Sequence, residues 1–267
     1  MPGKELILTQ ALLWTAGGSG FTCLMTLLGA ATVFFLGRRD NPSLHRLMLG
    51  FAAGVMIASS MWSLLIPAIE TAESLGMPGW FPAAGGSALG AAFLSLMDML
   101  LPHLSSMESS TGSGSRPLLL ALAVTLHNIP EGMAVGISFS LAAQSAPHTL
   151  PAAMALALGV GIQNFPEGAA ISLPLIQDGF SRRRAFAIGA LSGVVEPAAA
   201  LLTVLIAGQL QPLMPWLLSF AAGSMLYVVV EELIPEANLR HNHQTHSGTL
   251  GVMAGFLIMM ILDVALG

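Results

Sequence analysis

Long apolar runs, each closed by a short polar interruption, set the pattern of this chain. The runs fall at about 7–36, 47–69, 80–102, 117–142, 150–176, 185–209, 213–237 and 248–266, and each is close to the roughly 20 residues a helix needs to cross a hydrocarbon layer. The pattern predicts an all-α polytopic membrane protein with eight transmembrane helices. The first run, Leu6 to Leu36, far exceeds the apolar core of a secretory leader and is read as a true helix. The longest polar interruption, "SSMESSTGSGSR", is rich in Ser and Gly and predicts a flexible loop over 103–116. No segment reads as a separate soluble domain, so 1–267 is taken as a single transmembrane domain.

Charge agrees with this reading and adds an orientation. Hydrophobic residues make up 54% of the chain and charged ones only 9%, where a soluble domain carries roughly a quarter charged. All eight arginines, at 38, 39, 46, 116, 182, 183, 184 and 240, fall in connections on one side of an eight-span topology. Only Lys4 falls on the other side. The excess of basic residues marks the cytoplasmic side. Both termini are therefore expected outside, and 103–116 inside. A net charge of −5 argues against a nucleic-acid partner. Cys23 is the single cysteine, so it forms no intramolecular disulfide, and it reads as a packing residue.

The chemistry lies where the apolar pattern is violated. "HNIPEG" (127–132) interrupts the fourth span and "QNFPEG" (163–168) the fifth. His127 and Glu131 are one helical turn apart on one face, with Asn128 beside them; Gln163 and Glu167 repeat the spacing, with Asn164 beside them. Glu196, Glu231 and Glu232 are further carboxylates inside spans, and no Lys or Arg lies inside any span. An ionised residue at the centre of a bilayer costs about 2.5–3.5 kcal/mol on insertion scales. Protons, cavity water or a cation from outside must offset that cost. A set of imidazole nitrogen, carboxylates and amide oxygens suits a borderline dication such as Zn²⁺, and also Fe²⁺, Mn²⁺ or Cd²⁺. Pro130 and Pro166 supply no backbone donor, free the carbonyls of Leu126 and Ile162, and are expected to break the two helices at the site. Two similar elements running in opposite directions suggest a midplane site of the secondary-transporter kind.

Blander readings stand beside these. His127 alone could be a hydrogen-bonded bundle histidine. Glu196 could be a protonated acid bonded between helices, and Met56 a core residue. Glu231 and Glu232 could sit at a water boundary. The "RHNHQTH" stretch, with His241, His243 and His246, could be a solvated loop or could catch departing metal.

On "HNIPEG" and "QNFPEG", the chain resembles the ZIP (Zrt-/Irt-like protein) family of divalent-metal transporters, most like its GufA-type bacterial branch. The resemblance implies a 3+2+3 bundle in which the first and last three helices form inverted repeats around the central pair. It implies a multi-pass protein of the bacterial inner membrane, with a possible homodimer, and zinc as substrate rather than an organic cofactor. It also implies a binuclear centre. His127, Glu131, Gln163, Asn164 and Glu167 would line the primary site, Met56 could add a thioether, and Asn128 and Glu196 would complete a second site. Ser63 would lie along the pathway, Glu70 and Asp263 near the outer mouth, and Glu231 and Glu232 on the exit side. Many relatives carry aspartate where this chain has Asn164, so one negative charge is missing here. The expected activity is uptake of a dication into the cytoplasm. An intramembrane metalloprotease is a weaker reading, because no "HExxH" occurs. A channel-like metal pathway is left open by sequence.

Overall fold

Inside a bilayer the backbone has no water to bond, so each crossing segment must satisfy its own N–H and C=O groups, which a helix does. The computed structural model, which describes residues 2–35, 42–108, 115–144, 149–177, 179–207, 211–238 and 246–266, is helical throughout, with no strand among the described residues. Helices α1 (Pro2–Ala31), α2 (Pro42–Ser59), α3 (Ile66–Ser74) and α4 (Trp80–Glu108) form the first half. The second half comprises α5 (Ser115–Gln144), α6 (Thr149–Gln177), α7 (Arg182–Ala207), α8 (Met214–Val228), α9 (Ile234–Asn238) and α10 (Ser247–Leu266). A π-helical segment, Ser60–Leu65, joins α2 to α3, and a second, Val229–Leu233, joins α8 to α9. Among the described residues, six stretches are long and apolar enough to cross a membrane: Glu5–Phe34, Ser43–Ser74, Trp80–Leu100, Arg182–Ile206, Met214–Asn238 and Ser247–Leu266. α5 and α6 are 30 and 29 residues long and carry the two polar motifs.

Two expectations are revised and one feature is new. α5 and α6 continue as α-helix through Pro130 and Pro166, so the motifs do not break them. A proline removes one hydrogen bond, and neighbouring helices buried against it hold the rest of the turn. The interruption at 103–116 is narrower than read, since α4 runs to Glu108 and α5 begins at Ser115; residues 109–114 lie outside the described set. The second and seventh spans each contain a π-helical segment that hydrophobic pattern does not signal.

Several helices turn small or polar residues inward and large apolar ones outward. On α1, Thr15, Ser19, Thr22 and Thr26 follow a helical period and are all buried, while Leu6, Leu13, Leu24 and Leu28 are exposed. α10 buries Gly251, Gly255, Met259 and Asp263 and exposes Leu250, Leu257, Ile261 and Val264. A soluble helix would be arranged the other way round.

Packing sorts the helices into two groups. α1, α5, α6 and α7 pack mutually, and so do α2, α3, α4, α8, α9 and α10. The groups meet chiefly where α6 faces α2 and α10 and where α5 faces α8. Within the groups, glycines let backbones touch, as is usual between membrane helices. A Cβ at Gly132 would strike the carbonyl of Glu196, and one at Gly136 that of Ala200, so α5 lies directly on α7. Gly168 meets the carbonyl of Thr26, and Gly29 that of Phe165, so α6 lies directly on α1. Gly50, Gly54, Gly251 and Gly255 form the same seam between α2 and α10. Both motif helices are thus fixed by the glycine that ends the motif.

Substitution separates packing from helix propensity. Gly17 is exposed and nothing lies within 4 Å of its added Cβ, so Gly17→Ala leaves stability unchanged or raises it, by up to about 1 kcal/mol. Gly136→Ala forces two backbones apart and costs about 1–3 kcal/mol, as overpacked cores do. Thermal unfolding of the detergent-solubilised protein measures both, and equal shifts for the two would contradict the seam.

Candidate metal centre

His127, Asn128 and Glu131 project from one face of α5; Gln163, Asn164 and Glu167 project from α6, and Glu196 from α7. His127 is 5% exposed, and Asn128, Glu131, Gln163, Asn164 and Glu196 are 1% exposed or less. Glu167 is half-buried and faces a cavity. The carboxyls of Glu131, Glu167 and Glu196 lie within electrostatic reach of one another, and Glu232 lies within reach of Glu167. No lysine or arginine occurs between residues 117 and 181 or between 185 and 239 to neutralise them.

Hydrogen bonds tie the three helices together at this level. The Gln163 amide donates to Glu131 Oε1 at 2.8 Å, linking α6 to α5. The Asn164 amide donates to both oxygens of Glu196, at 2.7 and 2.8 Å, linking α6 to α7. The Asn128 amide donates to the Ser192 carbonyl at 2.8 Å, linking α5 to α7. Thr22 and Thr26, on the inward stripe of α1, flank Glu196, and the Thr26 hydroxyl lies 3.4 Å from Oε1.

What these bonds leave over defines the chemistry. Glu131 Oε2, Gln163 Oε1, Asn128 Oδ1 and Asn164 Oδ1 are buried and have no protein partner. All four are acceptors. Leaving a buried acceptor unsatisfied costs about 1–3 kcal/mol, so the centre is short of donors or of positive charge. A dication meets that shortage.

A cavity of about 440 Å³ opens beside the centre. Its polar lining comprises His127, Glu167, Glu231, Glu232, Glu236 and His45. His127 Nε2 lies 3.4 Å from Glu232 Oε1. Asp98 on α4 joins them: one ligand atom from each of Asp98, His127 and Glu232 lies within 4.8 Å of the other two. Asp98 and His45 were not among the residues singled out by sequence, and both have a place here. The signal for Asp98 was its being the sole charged residue of the third apolar run. The inward threonines were readable from their period on the first run.

The remaining residues singled out by sequence, apart from Glu231 on the cavity wall, lie elsewhere. Ser63, in the first π segment, donates to Asp263 Oδ1 on α10 at 2.5 Å, and Asp263 Oδ2 is buried without a partner. Met56 is fully buried in the main apolar cluster. Glu70 on α3 and Glu231 in the second π segment are exposed, as is His246 before α10. His241 and His243 lie outside the described residues.

Known proteins are similar to this chain over most of its length. The family model for the ZIP zinc transporter matches residues 100–263, which contain α5, α6 and α7; α1, His45 and Asp98 lie before the match. "Zinc transporter ZIP11" of Homo sapiens is 38% identical over 340 aligned positions, covering 97% of this chain and 97% of its own. "Zinc transporter GufA" of Myxococcus xanthus is 39% identical over 226 positions, covering 82% of this chain and 86% of its own. "Zinc transporter ZIPB" of Bordetella bronchiseptica is 38% identical over 258 positions, covering 94% and 80%. An all-helical chain with buried, cation-poor acids on the two motif helices and likeness of this extent belongs to the ZIP zinc transporter family.

Proposed function

We propose that this protein carries divalent cations, Zn²⁺ first, across the membrane into the cytoplasm, with the ion bound between α5 and α6. The observation that carries the reading is the donor-poor centre: buried carboxylates and amide oxygens with no resident cation, beside an open cavity. The relatives are named zinc transporters, which favours transport over metalloproteolysis. Fe²⁺, Mn²⁺ and Cd²⁺ suit the same nitrogen and oxygen donors.

His127, Glu131, Gln163 and Glu167 form the primary site in this reading. Met56, on α2, is assigned to it as a thioether donor, and Ser63 and Asp263 to the way in, with Glu70 attracting cations at the mouth. Asp98, Glu231 and Glu232 receive the ion on the way out, and His241, His243 and His246 take it up from them. The chain forms one transmembrane domain of eight spans, 3+2+3, with α5 and α6 as the central pair. The lengths of α5 and α6 support the count, and the one-sided arginines support termini on the outer face of a bacterial inner membrane. A homodimer is compatible with the apolar exterior.

Purified protein in proteoliposomes takes up zinc in saturable fashion. His127→Ala and Glu167→Ala each reduce the initial rate at least tenfold while the protein still elutes as a single species on size exclusion. Undiminished flux in both variants would remove the site from consideration.

Protons and metal compete for the same lone pairs, because carboxylates and imidazole bind metal only when deprotonated. With equal pH on both sides, zinc flux at pH 5 is therefore lower than at pH 7, and raising zinc at pH 5 restores part of it. An equal rate at both values would count against carboxylate ligation.

A further inference from the structure

Asn164 and Glu196 face each other across α6 and α7, and their geometry bears on how many ions the centre holds. The Asn164 nitrogen donates to both Glu196 oxygens, at 2.7 and 2.8 Å. The reverse orientation of the amide would set an oxygen against a carboxylate, acceptor to acceptor, so chemistry fixes the N–H side toward Glu196. The hydroxyls of Thr22 and Thr26 flank the same carboxylate, and Gly168, resting on the Thr26 carbonyl, holds α1 close enough for them to do so. Asn128 is turned in a similar way, its nitrogen spent on the Ser192 carbonyl. Glu196 thus has protein donors of its own, whereas Glu131 Oε2 has none.

Charge counting points the same way. Two dications side by side would bring four positive charges. At the level of Asn164 the centre offers three carboxylates, Glu131, Glu167 and Glu196, with Glu232 placed on the His127 side, and Asn164 contributes only a neutral amide. Ions in paired sites sit roughly 3.5–4 Å apart, and an excess positive charge at that range is costly where water is excluded. One dication against Glu131 and Glu167 balances, with Glu196 satisfied by Asn164 and the threonines.

Resting on the reading that the centre binds zinc at all, we propose that this protein holds a single dication there, because the Asn164 amide occupies the Glu196 carboxylate and closes the second position. Asn164 is in this account a positioning residue that sets stoichiometry. Its carbonyl oxygen and that of Asn128 are left to solvate the ion bound by Glu131 and Glu167, as neutral dipoles and not as a second charged site.

The test is bound metal per chain. Protein in detergent is stripped with chelator, dialysed against buffered Zn²⁺ and assayed for metal, and the amount lost in a His127→Ala/Glu167→Ala double variant is counted as bound at the centre. The expected wild-type value is one, and it stays at one in Glu196→Gln. Asn164→Asp raises it to two, and adding Glu196→Gln to that variant returns it to one. A wild-type value of two that falls to one in Glu196→Gln overturns the proposal while leaving the transport site standing. A wild-type value of zero overturns the site reading itself, and this inference with it. A folded Asn164→Asp that still binds one overturns the role given to Asn164. Should Asn164→Asp fail to fold, the wild-type and Glu196→Gln values decide alone.

Discussion

The structure depends on a surplus of buried acceptors. Three carboxylates and several amide oxygens converge between α5, α6 and α7, and the membrane-spanning sequence supplies no lysine or arginine to meet them. In a low-dielectric interior such a group of like charges is tolerable only with partners. The protein provides a few: the Gln163 amide for one oxygen of Glu131, the Asn164 amide for both oxygens of Glu196, and hydroxyls from α1. The remaining oxygens face one another and the cavity. A visiting dication is the partner the fold leaves room for, and family membership gives that room a purpose.

Holding so many acceptors together requires close helices. Gly132 and Gly168, the last residues of the two motifs, have no side chain because a backbone lies where it would go. The same six residues that carry the proposed ligands therefore also carry the contact that fixes the height of those side chains relative to α7 and α1. Chemistry and packing are written in one motif. This explains why two short stretches say so much about so long a chain.

Much of the fold was legible for that reason. Length and hydrophobicity located the helices, and the i, i+4 spacing of His127 with Glu131 and of Gln163 with Glu167 located the gathering point. What escaped was of two kinds. The π segments at Ser60–Leu65 and Val229–Leu233 arise from tertiary accommodation and leave no trace in apolar periodicity. The approach of Asp98 to His127 and Glu232 depends on how α4 and α8 pack, which pattern along one helix does not contain. Pro130 and Pro166 misled in the opposite sense: a local rule predicts a break, and burial against α7 and α1 keeps the helix whole. Thr22 and Thr26 were legible in principle, since a polar stripe at helical period on an otherwise oily segment must face inward.

The two kinds of helix contact have a mechanical corollary. Within each group, the glycine seams described above set main chain on main chain, a junction that cannot slide without separating. Between the groups, Gly159 of α6 instead meets the side chain of Met259 on α10. A thioether has several rotamers of similar energy and adapts to shifting neighbours. A side-chain contact of this kind yields to a small shearing displacement more readily than main chain set on main chain.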